Sequence, residues 1–111
     1  MKKIEAVYLH KFDKEVLEAL RALDLGGFTI LNGKGRGKGP RKVKEGLGRY
    51  IEPFNEIDML FVVVADSKVP SVVAAIAKAT HTGGLGDGKI FTSKVDEVLD
   101  ISTMKVGEKY L

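Results

Sequence analysis

Apolar and polar positions alternate through Lys3-Ile4-Glu5-Ala6-Val7-Tyr8-Leu9, with Ile4, Ala6 and Tyr8 on one side. A period of two in β-favouring residues predicts a strand. Past Asp13 the spacing changes: Val16, Leu17, Leu20 and Leu23 make a helical apolar face, with Asp13 placed as the N-cap, Glu15 in the first turn and Gly26-Gly27 as the stop. Phe28 to Leu31 predicts a second short strand. The patterning then ceases over residues 33–53, which hold six glycines and two prolines and cannot be core. It resumes at Ile57 to Ala65, where Met59 to Val64 is apolar enough to predict a strand buried on both faces. Ser67 is placed to cap a second helix whose stripe is Val69, Val72, Val73 and Ile76, with Pro70 tolerated in the first turn and the end before Gly83-Gly84. Gly88 to Ser93 predicts a fourth strand, and Val95 to Ile101 a helical turn leading into a short fifth.

The order is βαβ followed by βαβ, in halves of roughly 50 residues. It predicts a single α+β domain over residues 1–111, a ferredoxin-like antiparallel sheet with two helices on one face. The chain has nothing left to cover the other sheet face, so a homo-oligomer is expected.

Charge changes this picture at one place. The whole chain of 111 residues carries a net +3 and a pI near 9.1, but residues 34–49 alone hold seven cations against one anion, leaving the remainder mildly acidic. A basic segment of this kind raises a nucleic-acid-binding module as the alternative reading, with binding that falls steeply with salt. Against it, the segment offers only the adjoining Tyr50 to stack on bases. The absence of cysteine excludes disulfides, thiolate zinc sites and a thiol nucleophile. The opening Met1-Lys2-Lys3-Ile4-Glu5 does not read as a signal peptide, and the longest apolar runs fall far short of the roughly 18 residues a membrane span needs. A cytoplasmic protein without membrane insertion is expected.

Two glycine-rich stretches could hold an anion. In Gly33-Lys34-Gly35-Arg36-Gly37-Lys38-Gly39 the glycines alternate with cations, which lets backbone approach a phosphate closely while charge lies beside it. The dinucleotide fingerprint fails, because Lys38 stands where its third glycine would be and no helix follows. Thr82-Gly83-Gly84-Leu85-Gly86-Asp87-Gly88-Lys89-Ile90 formally contains G-x-x-x-x-G-K, but Ile90 replaces the magnesium-binding hydroxyl and the loop runs from helix to strand. Successive amides with Lys89 can still bind phosphate. His10 and His81 lack metal-ligand spacing and read as surface or partly buried residues, Asp13, Glu15 and Glu18 read as helix-surface acids, and Ser67 and Thr82 have no base beside them. No enzyme is expected.

The start Met1-Lys2-Lys3-Ile4-Glu5-Ala6, Gly27-Phe28-Thr29, Gly35-Arg36-x-Lys38-Gly39 and above all Thr82-Gly83-x-x-Gly86-Asp87-Gly88-Lys89-Ile90-Phe91 resemble, in order and over nearly the whole chain, the PII signal-transduction family. The resemblance implies a homotrimer that binds an adenine nucleotide, ATP, ADP or AMP, in clefts between subunits. A T-loop at about residues 34–54 would recognise a target enzyme or membrane transporter, a B-loop at 82–89 would hold phosphates, and residues 100–111 would form a C-terminal segment. Carried over by position, Gly35, Arg36 and Gly37 lie at the T-loop base, Thr29 and the Val63 backbone at the adenine, and Gly86, Asp87, Gly88 and Lys89 at the phosphates. Lys38, Arg41, Lys42, Lys44, Arg49 and Tyr50 fall in the recognition segment.

The departures bear on the ligand. Typical members follow the T-loop arginine with a glutamine that helps bind Mg-ATP and 2-oxoglutarate; here the residue is Gly37. A lysine that helps hold 2-oxoglutarate falls near Ile57, and two arginines for the terminal phosphates fall on Asp100 and Ser102. Lys105 is the cation placed to compensate. The expectation is therefore ADP or AMP in preference to Mg-ATP with 2-oxoglutarate, with a small anion such as bicarbonate as a candidate second ligand. Tyr50 lies near the family's modified tyrosine but in the different context Gly46-Leu47-Gly48-Arg49, so nucleotidylylation is not expected.

Overall fold

The computed structural model describes residues 1–46 and 48–111. Strand β1, Lys2–Leu9, passes through a 3-10 turn, His10–Phe12, into α1, Asp13–Arg21. Then follow β2, Thr29–Gly35; the short strands β3, Val43–Glu45, and β4, Arg49–Ile51; and the long β5, Asn55–Val64. A second 3-10 turn, Asp66–Lys68, leads into α2, Val69–Thr80, and β6 covers Gly88–Lys94. The two-residue strands β7, Leu99–Asp100, and β8, Lys105–Val106, close the chain before a last turn at Glu108–Tyr110.

The main sheet has the order β2-β5-β1-β6 with every neighbouring pair antiparallel. Register explains its two faces. Ile4 lies opposite Val62 and Ala6 opposite Leu60, so the even positions of β1 and β5 share one side. On that side Ile4, Ala6, Tyr8, Leu60, Val62 and Val64 are buried beneath Val16 and Leu20 of α1 and Val72 and Ile76 of α2. Both helices thus cover the same face, as the apolar stripes predict. The odd positions, Val7, Leu31, Met59, Phe61 and Phe91, form the opposite face; Leu31 and Phe91 remain 54% and 53% exposed.

Several local expectations are corrected. Asp13 does not cap α1: Phe12 is the flanking residue, and Asp13 Oδ1 instead accepts from the Tyr8 hydroxyl at 3.2 Å. The helix stops at Arg21, short of the glycines, because Leu23 and Leu25 turn back to pack on the core. Ser67 lies inside the 3-10 turn, and α2 opens on Val69-Pro70, where a missing N–H needs no cap. Strand β5 is not buried on both faces: its burial alternates, because only one face carries helices. Residues 95–98 form no helical turn; the chain runs without regular secondary structure into the β7–β8 hairpin. Strand β2 continues to Gly35 rather than ending at Leu31, drawing part of the glycine–cation stretch into the sheet.

Beyond Gly35 the chain leaves the body as an arm in which β3 and β4 pair, Val43 with Ile51 and Glu45 with Arg49. The arm makes the molecule elongated, 59 × 26 × 22 Å, with a radius of gyration of 16.7 Å against roughly 13 Å for a compact chain of this length. Among the described residues no helix is long and apolar enough to cross a membrane.

Candidate functional site

A cleft of about 620 Å³ opens where the arm leaves the sheet. One wall is Gly35-Arg36-Gly37-Lys38-Gly39 at the end of β2, the floor is Val7 to Leu9 with Asn55 and Ile57, and the other wall is Leu85, Gly86, Gly88, Lys89 and Phe91. Most of the residues expected at the arm base and phosphate loop therefore share one cavity, together with Lys38 of the glycine–cation stretch, which the resemblance placed in the recognition segment.

Glycine is required here by the backbone. Gly83, Gly86 and Gly88 have φ of +87°, +90° and +122°, where L side chains are strained. A Cβ on Gly39 would lie 2.6 Å from the Gly86 Cα. The arm root and the loop are thus in backbone contact, so a ligand that fixes one restrains the other. Gly35 packs on Ile57, whose side chain would lie 3.0 Å from an added Cβ.

Asp87 serves the loop itself. Its carboxylate accepts from the Thr82 amide at 2.7 Å, the Gly83 amide at 3.0 Å and the Thr82 hydroxyl, while the Gly84 amide donates to that hydroxyl oxygen at 3.2 Å. These bonds, led by that from the Thr82 hydroxyl, hold Asp87 below the usual carboxylate range. The amides of Thr82 and Gly83 face Asp87, which does not engage the later part of the loop or Lys89. Asp87 lines a neighbouring pocket of about 340 Å³ with Thr80 and His81 rather than the glycine cleft. A lowered pKa means this bracing is present above the ordinary aspartate value of about 4 and is lost as pH falls through the lowered value. Asp87→Asn is accordingly expected to accelerate amide exchange at Gly83 and Gly84 throughout the neutral range, whereas the unsubstituted loop loosens only in acid.

The other expected ligand residues lie elsewhere in the chain. Thr29 is at the far end of β2 from Gly35, about 20 Å along the strand. Val63 pairs with Lys3 and lines a separate hollow of about 320 Å³ near Leu25 and Leu111. Lys105 is in β8, paired with Asp100, whose carboxylate is engaged by the Thr103 amide at 3.0 Å and hydroxyl at 2.8 Å. Asp100 braces this turn, where Met104 has φ of +61°.

In the arm, Lys44 Nζ meets Glu52 at 2.7 Å, and that bond raises the lysine pKa. Arg41 reaches the Pro53 carbonyl at 3.4 Å, and the Glu52 amide donates to the Lys42 carbonyl at 2.8 Å. Tyr50 is 54% exposed, as are Ile51 and Val43 in similar measure, giving the basic arm an apolar component. Arg49 is exposed on β4 opposite Glu45.

Sequence reading missed a polar cluster beneath the arm root. Asp58 is 1% exposed, yet its carboxylate receives His10 Nδ1 at 2.9 and 3.0 Å and the Asn32 side-chain amide at 2.8 Å. The signal was present: Asp58 stands in the alternation that puts Leu60, Val62 and Val64 on the helix-covered face of β5. Among the described residues no group of three His, Asp or Glu is arranged to hold a metal ion.

Fold and site together define an α+β protein with a cleft lined by glycines and lysines at the root of a projecting basic arm. The family model described as "Nitrogen regulatory protein P-II" matches residues 1–105. Proteins named nitrogen regulatory protein P-II from Rhizobium meliloti and Azospirillum brasilense are each 41% identical, over 109 and 111 residues, covering 96% and 98% of this chain and 96% of each relative. Nitrogen regulatory protein P-II 2 of Methanothermobacter thermautotrophicus is 39% identical over 98% of this chain and 96% of its own length. The chain belongs to the P-II family.

Proposed function

We propose that this protein is a non-enzymatic signalling regulator in the cytoplasm that binds an adenine nucleotide in the glycine–lysine cleft and controls a target enzyme or transporter through its arm. The observation that carries this reading is the cleft itself, which sets Gly86, Gly88 and Lys89 across from Arg36, Gly37 and Lys38. Membership in a family described as nitrogen regulatory supports the regulatory role. It does not favour the nucleic-acid alternative.

The β2-β5-β1-β6 order of the main sheet supports a ferredoxin-like domain, and its half-apolar second face supports a homotrimer. In that assembly a neighbouring copy would bring Thr29, Val63 and Lys105 to the cleft, which explains why one chain holds them apart from Lys89. Phe91→Glu puts a charge on this face without touching the buried core, and is expected to convert the assembly to monomer by sedimentation velocity; an unchanged trimer would remove the sheet face from the interface.

The ligand selectivity follows from charge. Asp100, already engaged within its turn, and Ser102 provide no cation for a terminal phosphate, so ADP or AMP suits the site better than Mg-ATP. Ile57 lies against Gly35 where a lysine would be needed for 2-oxoglutarate. Ligand binding would act by shifting the population of arm conformations, since Arg36 to Gly39 belong both to the cleft and to the arm. Calorimetric titration with AMP, ADP and ATP, each with and without 2-oxoglutarate and bicarbonate, tests this reading. Micromolar ADP or AMP binding insensitive to 2-oxoglutarate is expected; no nucleotide binding tighter than millimolar would end it.

A further inference from the structure

The polar cluster beneath the arm root adjoins the glycine–lysine cleft and shares only Tyr8 with it; His10, Asp13, Asn32, Glu56 and Asp58 do not line that cleft. It joins five elements: Tyr8 on β1, His10 in the turn after it, Asp13 on α1, Asn32 on β2, and Glu56 and Asp58 on β5. Asn32 precedes the end of β2 by three residues, and Glu56 is the second residue of β5. The cluster therefore grips both strands where they run into the arm.

We infer that His10 is a proton-operated latch on the root of the arm. The imidazolium carries two N–H groups and here has two anions: Nδ1 donates to the buried Asp58 at 2.9 Å, and Nε2 lies 3.9 Å from Glu56. Asn32 ties the same two carboxylates together, donating to Asp58 at 2.8 Å and to Glu56 at 3.1 Å. A neutral imidazole has one N–H. It keeps the bond to buried Asp58 and turns a bare nitrogen toward Glu56, whose charge then loses its cation. Release falls on the exposed Glu56 side, at the first residues of β5.

The remaining groups facing the ring agree in sign. Asp58, Glu56 and Asp13 are all acids, and the hydrogen bond to Asp58 is the largest of the effects that raise the His10 pKa above its ordinary value of 6.5. Asp13 is pushed up by burial and by its bond to Asp58, and the Tyr8 hydroxyl, itself raised chiefly by burial, stays protonated as its donor. Burial opposes ionisation of Asp58, but the bonds from Asn32, His10 and Asp13 outweigh it and keep it below the usual range. Lys34 lies opposite Glu56 in the register and makes no ion pair with it among the described residues. A raised histidine pKa places the latch fully closed below about pH 6.5 and opens it as pH rises through the higher folded-state value.

Amide exchange at residues 32–36 and 55–57, corrected for the intrinsic pH dependence of exchange, tests the latch in the full chain. Between pH 6 and 8.5 the unsubstituted protein is expected to lose about twofold to fivefold protection there, the range of one partly exposed charge pair, while core amides such as Leu60 stay constant. His10→Gln, at a side chain 45% exposed, is expected to fold and to give a flat profile at the root. Glu56→Gln should lower the His10 ring pKa by NMR. A His10→Gln profile identical to the unsubstituted one, or root amides that ignore pH in the unsubstituted protein, would overturn the inference, whatever the nucleotide titration shows.

Discussion

Gly88→Ala is expected to lose roughly 3 kcal/mol or more of stability and to abolish nucleotide binding. The cause is specific. A Cβ at this position would lie 1.9 Å from the Val7 carbonyl oxygen, on a backbone with φ of +122°. The obstacle is main chain in β1, paired directly with β6, so no rotamer change relieves it. Positive-φ strain costs about 1–3 kcal/mol and overpacking a similar amount, and together they lower Tm by roughly 13 °C or more for a chain of this size at fixed protein concentration. Gly27→Ala is the control, because nothing lies within 4 Å of its added methyl. Its change should stay within about 0.5 kcal/mol. Urea denaturation of the two variants beside the unsubstituted protein checks both, and equal stabilities would refute the account of Gly88.

Lys89→Ala is expected to weaken ADP binding by about 10- to 100-fold, the worth of one charge-assisted bond to phosphate. Lys89 is exposed and follows the last left-handed glycine of the loop, so its removal should leave circular dichroism and Tm unchanged. The contrast between the two substitutions separates loop shape from loop charge. Gly88→Ala removes binding through a folding defect, and Lys89→Ala removes it from an intact fold. Affinity unchanged in Lys89→Ala would show that the phosphate role belongs to another cation of the cleft, Arg36 or Lys38.

How much of this could be read from the chain differs by element, for physical reasons. The period-two pattern of Ile4, Ala6 and Tyr8 and the stripe of Val72 and Ile76 face the core as expected, since one-sided burial writes a period into the residues. Boundaries were less legible. Asp13 and Ser67 have the right chemistry for caps, yet each helix opens out of a 3-10 turn that alters which residue flanks it. The run Met59 to Val64 suggested two buried faces because the half-buried positions on the face without helices, Met59, Phe61 and Val63, are also apolar. Glycines Gly83, Gly86 and Gly88 were legible as a loop, but the contact of Gly86 with Gly39 was not, because nothing local to either segment records a close approach across the cleft. Asp87 stood among the expected phosphate residues, and only its bonds to Thr82 and Gly83 show that it braces the loop. The His10–Asp58 pair spans 48 residues and depends on register, which sequence spacing does not carry.

The central claim is that the two walls of the cleft close on one nucleotide. Backbone amide exchange with and without saturating ADP tests it most directly. Protection is expected to rise together in residues 35–39 and 85–89, with further protection at Thr29 and Val63 if a neighbouring copy completes the site. Exchange unchanged in both walls at saturating ADP, or protection confined to segments outside them, would contradict the account.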